Sequence, residues 1–202
     1  MSGAISGVEA LARWHHPRRG VIAPCDFLPL LERNGLMGRL GHLMLSDALA
    51  ALSQWDSKGM FVPTMSISMS NTELRNPYLV DHIMMELDKF GLAPERLVIE
   101  VLEIVVANQD DSTITTNLQR LAELGSGIDL DDFGTGYASI TSIRQLAIQR
   151  IKIDRSFVTH IDRDEEQQNM VDAILTMAKR LELDTLVEGV ETPQEQDQLA
   201  AM

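Results

Sequence analysis

The sequence predicts an α/β fold, a TIM-type (β/α)8 barrel that is incomplete in this chain, with about six strands present. Three observations point there. Short β-branched runs alternate with stretches of 3.6-residue periodicity along all 202 residues. Each strand-to-strand connection then holds a helix, and the sheet is parallel. Next, charged residues stand in or at the C-terminal end of one predicted strand after another: Glu9, Glu100, the pair Asp131 and Asp132, Lys152 and Glu188. A barrel brings those ends to one mouth, where barrel chemistry is found. Finally, the chain has neither G-x-G-x-x-G after its first strand nor G-x-x-x-x-G-K-[ST], the phosphate loops common in open doubly wound sheets.

The elements follow in order. Ile5 to Trp14 reads as a strand, then Cys25 to Arg33 and Gly38 to Lys58 as helices. The second helix carries Leu40, Leu43, Met44, Ala48, Leu49 and Leu52 on one face. Phe61 to Ser70 is a strand, and Asn76 to Phe90 a helix stopped by Gly91. Leu97 to Val106 is a β-branched strand carrying Glu100 and Glu103. Asp110 to Leu124 is a helix with acidic residues in its first turn and Gly125 beyond its end. Ser126 to Asp131 is a strand, Ala138 to Leu146 a short helix, Arg150 to Asp154 a strand and Asp164 to Leu183 a long helix. Thr185 to Val190 is the last strand. Thr192 as N-cap with Pro193 behind it starts a final helix. An eight-stranded barrel takes about 250 residues, so one strand is expected to be missing at each end of a single barrel domain spanning residues 1–202.

Composition narrows the function. Apolar residues make up 45% of the chain and the net charge is -13. No basic stripe exists to displace counterions from a nucleic-acid polymer, which argues against that partner. A small anionic ligand stays open, because bound metal ions reverse the local field. Cys25 is the single cysteine, compatible with a reducing, cytoplasmic setting. No run approaches membrane-spanning length, so no membrane contact is expected of this segment.

The chemistry gathers at Ile128 to Tyr137, Ile-Asp-Leu-Asp-Asp-Phe-Gly-Thr-Gly-Tyr. Adjacent strand residues point to opposite faces. Asp131 and Asp132 therefore suit the last residue of a strand and the first of a loop, where both carboxylates can turn to one point. Like charges that close repel, so one is protonated unless a cation sits between them. Oxygen-only donors suit Mg²⁺, Mn²⁺ or Ca²⁺ better than Zn²⁺. The competing reading is an acidic turn ending in a helix cap. Asp129 shares a face with Asp131 and is expected to add interior charge or to meet Lys152. For Lys152 the plain alternative is a salt bridge to Asp154, two residues on.

These residues resemble the EAL domain family, the cyclic di-GMP phosphodiesterases. Glu9-Ala10-Leu11 with Arg13-Trp14 and His16-Pro17 is similar to its signature. Glu100 with Glu103, Asp131-Asp132-Phe133-Gly134-Thr135-Gly136-Tyr137, Lys152-Ile153-Asp154 and Glu188-Gly189-Val190-Glu191-Thr192 follow in the family's order. The resemblance implies a barrel modified by one antiparallel strand. It also implies hydrolysis of cyclic di-GMP to the linear dinucleotide pGpG with Mg²⁺ or Mn²⁺, inhibited by Ca²⁺, in a bacterial cytoplasm. Metal ligands would be Glu9, Glu100, Asp131, Asp132 and Glu188. Glu9, Lys152, Asp131 and Glu188 would carry catalysis, with Lys152 orienting the attacking water. Leu11, Arg13, Asp154 and Glu191 would serve substrate binding, Glu191 as a support of the site. Glu103 would pin the loop of Gly134 and Gly136, which in the family links the site to dimerisation, so a homodimer is expected.

Ser68 stands where the family has a metal-binding Asn, and a hydroxyl is the shorter and poorer ligand. Leu102 replaces a usual Thr and Val187 a usual Ala. The family's first strand and its last, which carries a site Gln, have no counterpart. Two functions are therefore expected to compete: an active phosphodiesterase, and a degenerate receptor that binds cyclic di-GMP without turnover. An enolase-like proton abstraction by carboxylate and lysine is a third, remote reading.

Overall fold

The computed structural model describes residues 3–107, 112–134 and 140–202. In chain order the elements are β1 (Val8–Glu9), β2 (Trp14–His16), β3 (Gly20–Ile22), α1 (Pro24–Arg33), α2 (Met37–Ser57), β4 (Met65–Ser68), α3 (Asn71–Leu74), α4 (Leu79–Phe90) and β5 (Leu97–Leu102). Then come α5 (Glu103–Ala107), α6 (Ser112–Glu123), β6 (Gly127–Phe133), α7 (Ile140–Gln145), β7 (Arg150–Ile153), α8 (Glu165–Arg180), β8 (Asp184–Val187) and α9 (Pro193–Ala201). Six of the described strands alternate with helices as expected. The exception is an antiparallel hairpin of β2 and β3, where Trp14 pairs with Ile22 and His16 with Gly20.

The chain divides into two compact units. One comprises Ala4–Ile99 with Asp111–Gly127. In it β1 pairs in parallel with β4, Val8 opposite Met65 and Glu9 opposite Ser66. Helix α2 lies against α3, α4 and β4. Its expected face is buried at Ala48, Leu49 and Leu52; full burial of a leucine is worth about 1.5–3 kcal/mol before entropy is counted. Gly91 ends α4 with φ +65°, a left-handed cap that a side chain would resist. Ser70 and Glu73 close a capping box at α3. Buried Asn117 of α6 donates its amide to the carbonyls of Leu74 (2.8 Å) and Asn76 (2.9 Å), so α3 ends on a satisfied pair of acceptors.

The second unit comprises Met1–Gly3, Glu100–Asp110 and Ile128–Met202. Here β6 pairs in parallel with β7, and β7 with β8. Ile153, Val158, Ile161 and Val171 form its buried centre, with Phe157 and Leu199 packed around them. Asp164 caps α8 by accepting the N–H groups of Glu166 and Gln167.

Several expected bounds shift. The strand expected over Ile5 to Trp14 is only Val8–Glu9, because Trp14 is taken by the hairpin. The strand expected to reach Val106 ends at Leu102, and Glu103 opens α5 instead. Strand β6 runs on to Phe133 rather than stopping at Asp131. The expected starts of the helices at Asp110 and Ala138 lie outside the described residues.

Candidate active site

The site is built at the end of β6. The register of β6 against β7 runs Asp129 to Arg150 and Leu130 to Ile151, then slips before Phe133 meets Ile153. Asp132 sits in the slip with φ +53°, a left-handed conformation that Asp and Asn tolerate best among non-glycine residues. A bulge of this kind re-aims side chains that a regular strand would send to opposite faces. The turn expected from a strand-to-loop boundary is thus made inside the strand. The Asp132 N–H donates to Asp131 Oδ1 at 3.0 Å.

Lys152 of β7 is the centre. Its ammonium lies 2.8 Å from Glu100 Oε1, 3.1 Å from Asp131 Oδ1 and 2.6 Å from Glu188 Oε1, with its side chain 4% exposed. Burial alone would lower its pKa; the hydrogen bonds it donates to Glu100 and Glu188 and the charges of Glu100 and Asp131 outweigh burial and raise it. The lysine is a fixed cation, not a base. Glu100 is also buried, at 2% exposure. Asp132 has its carboxyl pushed up, first by burial and then by the charges of Asp131, Asp154 and Glu188, with Lys152 opposing. Three carboxylates, Glu100, Asp131 and Glu188, therefore share one ammonium, and Asp132 and Asp154 add negative charge beside them. That excess of negative charge, on oxygen donors alone, fits a divalent cation of the Mg²⁺ or Mn²⁺ kind. Among the described residues, however, no three His, Cys, Asp or Glu side chains are gathered at metal-holding positions; Glu100, Asp131 and Glu188 converge on Lys152.

Loops on either side are tied down. Buried Glu103 accepts the N–H of Gly134 at 3.1 Å. Gly134 has φ +107°, and a Cβ there would strike the Phe157 ring. Gly136 lies outside the described residues. After β8, the Glu188 N–H donates to Ile153 O at 3.1 Å.

Glu195 was not anticipated. It accepts the N–H groups of His160 (2.9 Å), Glu191 (3.1 Å) and Thr192 (3.0 Å). The His160 and other backbone bonds hold its carboxyl below the usual range, against burial. It fastens the turn that begins at Glu188 to the segment that follows β7. The signal was in the sequence, since Thr192 and Glu195 have capping-box spacing.

Asp154 does not meet Lys152 in an ion pair; its side chain accepts the Ser156 N–H at 2.9 Å, and the Ser156 hydroxyl, then that N–H, lower its pKa against burial. Asp129 likewise pairs with Arg150, not Lys152, with Arg150 Nε at 2.9 Å. The reason is register: Asp129 and Arg150 are direct partners across β6 and β7. The Glu191 side chain is exposed. Glu9, Leu11, Arg13 and Ser68 belong to the first unit. There Glu9, Leu11, Arg13 and Ser68 are exposed, and Arg13 Nη1 donates to Ala12 O at 2.7 Å.

A family model described as EAL domain matches residues 1–202. MucR of Pseudomonas aeruginosa, described as a bifunctional diguanylate cyclase/cyclic di-GMP phosphodiesterase, is 34% identical over 201 residues, covering 100% of this chain and 29% of MucR. The cyclic di-GMP phosphodiesterase NbdA of the same organism is 36% identical over 193 residues, covering 96% of this chain and 24% of NbdA. A solved structure of the PaMucR phosphodiesterase in complex with c-di-GMP matches with a TM-score of 0.90 at 35% identity, covering 98% of this chain and 80% of that one. That match makes the architecture an incomplete (β/α)8 barrel of the α/β class. The chain spans 29% and 24% of the lengths of these two curated relatives. No described helix is long and apolar enough to cross a membrane.

Proposed function

Because the chain belongs to the EAL domain family over residues 1–202, we propose that it hydrolyses cyclic di-GMP to linear pGpG with Mg²⁺ or Mn²⁺, and that Ca²⁺ inhibits it. The observation that carries this reading is the gathering of Glu100, Asp131 and Glu188 on Lys152. The proposed ion-holding residues are Glu100, Asp131, Asp132 and Glu188, joined on motif grounds by Glu9 and weakly by Ser68. When bound, divalent ions lower the pKa of water and neutralise phosphoryl charge.

The chain's own residues do the rest. Hydrolysis adds water to phosphorus, breaks one P–O ester bond, moves a proton off the water and delivers one to the departing oxygen. Lys152 is too firmly protonated to take the water's proton. It orients the water and offsets charge growing on the phosphorane oxygens. A carboxylate, Asp131 or Glu188, is the proton acceptor, with Glu9 the remaining catalytic carboxylate by motif. Leu11, Arg13, Asp154 and Glu191 are the proposed dinucleotide contacts. Glu103 holds the Gly134 to Gly136 loop, and through that loop the protein forms a homodimer.

The test is purified protein with cyclic di-GMP and Mn²⁺, followed by chromatography for pGpG. Turnover that disappears in Glu188→Gln and in EDTA is the expected result. Intact cyclic di-GMP after long incubation would overturn it. One observation favours the receptor reading: Ser68 offers a short hydroxyl where the family offers a carboxamide. Micromolar binding in EDTA without turnover, with activity gained by Ser68→Asn, would select that reading. A monomer by light scattering with and without ligand would remove the dimer.

A further inference from the structure

A second group of metal-ligating side chains lies on the outer surface of the first unit, where α2 and α4 pack together. His42 of α2 and His82 of α4 face each other with ring centroids 5.7 Å apart and planes inclined at 47°. Two imidazoles bound to one ion at about 2.0–2.1 Å, with a near-tetrahedral angle between them, place their ring centres about 5 Å apart. The observed separation exceeds that by about half an ångström, a gap that small χ rotations of two exposed side chains close. Both histidines are exposed, so an ion reaches them without opening the core.

Their backbones are fixed. Leu45 and Leu49 follow His42 along α2, Ile83 and Leu87 follow His82 along α4, and all four are buried. The two rings are therefore held by a packed helix pair, not by loops. Ser46 and Glu86 stand four residues beyond His42 and His82, on the same helix faces. Lys89 joins them, its Nζ 3.1 Å from Ser46 Oγ and 3.0 Å from Glu86 Oε2. Glu86 is the carboxylate within reach as a further donor, and Lys89 is the cation that competes for it. Among the described residues no three ligand side chains are already assembled, so the pair begins as a two-imidazole site completed by water.

We propose that His42 and His82 form a cross-helix clamp for a borderline divalent ion of the Zn²⁺ class, separate from the oxygen-lined site around Lys152. Imidazole donors suit Zn²⁺, Ni²⁺ and Cu²⁺, whereas Mg²⁺ and Mn²⁺ go to carboxylates. The ion ties α2 to α4 and stabilises the helix pair by binding the folded state alone. The clamp does not depend on the phosphodiesterase reading.

The experiment is calorimetric titration of the full chain with ZnCl₂ in saturating Mg²⁺, with His42→Ala, His82→Ala and Lys89→Ala in parallel. The wild type should bind one Zn²⁺ with a Kd on the order of 10 µM. Each histidine variant should lose at least about tenfold in affinity, and Lys89→Ala should gain a few-fold by releasing Glu86. Thermal unfolding gives a second readout, with a Zn²⁺-induced rise in Tm that both histidine variants lack. Wild-type Zn²⁺ affinity in both histidine variants, or no uptake at 100 µM-scale Zn²⁺, would overturn the clamp. Loss of pGpG formation would leave it untouched.

Discussion

Two cations stand two residues apart on β7 and meet very different company. Arg150 at the strand's start pairs with Asp129, its direct neighbour on β6, and the account closes one to one. Lys152 faces three carboxylates at 2.6–3.1 Å, with Asp132 and Asp154 near enough to add charge. Strand geometry is shared, since both cations share a face of one strand. What differs is stoichiometry. A matched buried pair is a structural unit that a hydrophobic pair could replace. An oversubscribed ammonium leaves carboxylate charge unbalanced, and under the proposed function a divalent ion offsets it. The lesson is that burial of charge does not by itself mark a site; unbalanced burial of charge does.

The sharpest way to break the comparison is Lys152→Met. It strands Glu100 without its cation, and removing one partner of a buried ion pair costs about 3–5 kcal/mol. Urea unfolding without divalent ions should show that loss, and pGpG formation should fall below detection. Mn²⁺ should recover part of the stability, because an ion can stand in for the lost charge. Arg150→Met should cost less, about 1–3 kcal/mol, and leave turnover unchanged. Its loss should also depend on pH. Burial raises the Asp129 pKa, with Arg150 opposing. Folded protein then holds a proton that unfolded protein releases, so stability from this group falls as pH climbs from the ordinary carboxylate value through the raised one. Without Arg150 the raised value moves higher and the window widens. The deficit should be small at about pH 4.5 and larger at about pH 7. Equal deficits at both, by Tm, would mean that Asp129 does not titrate there.

Much of this was legible in the residues. The strand order, the lysine and the double aspartate stand out because charged residues in strands are costly and therefore conspicuous. Partner choice was not. Whether Lys152 meets Asp154 or Glu100 depends on register between β5, β6 and β7, which alternation within one strand cannot supply. The slip between Leu130 and Phe133 is also silent in sequence, because Asp132 carries no glycine to announce its positive φ. The hairpin at Trp14 was missed because three-residue strands are too short to show a period. Glu195 is legible only in part: its capping-box spacing from Thr192 is local, but the bond it accepts from the His160 N–H spans 35 residues and no local pattern announces it.

The loop that follows β6 gives a smaller effect. Glu103→Ala leaves the Gly134 N–H without its carboxylate acceptor and should cost about 1–2 kcal/mol. Exchange of the Gly134 amide should quicken, while urea midpoints for the first unit's α2 and α4 hold. Protection of that amide equal to wild type would mean that the loop is held by other contacts.

The smallest effect should run the other way. Asp132→Asn removes the group whose ionisation its neighbours oppose, and asparagine is at ease at φ +53°. In metal-free protein the ionised Asp132 disfavours folding at any pH above its ordinary value, since its folded pKa is raised. The substitution should therefore lift the metal-free Tm by about 1–3 °C. With Mn²⁺ the sign should reverse, because asparagine gives the ion a neutral oxygen in place of a charged one. A Tm difference between Asp132→Asn and wild type that ignores Mn²⁺ would show that Asp132 is crowded by its neighbours for a reason other than cation binding. The surplus of carboxylates would then rest on Glu100, Asp131 and Glu188 alone.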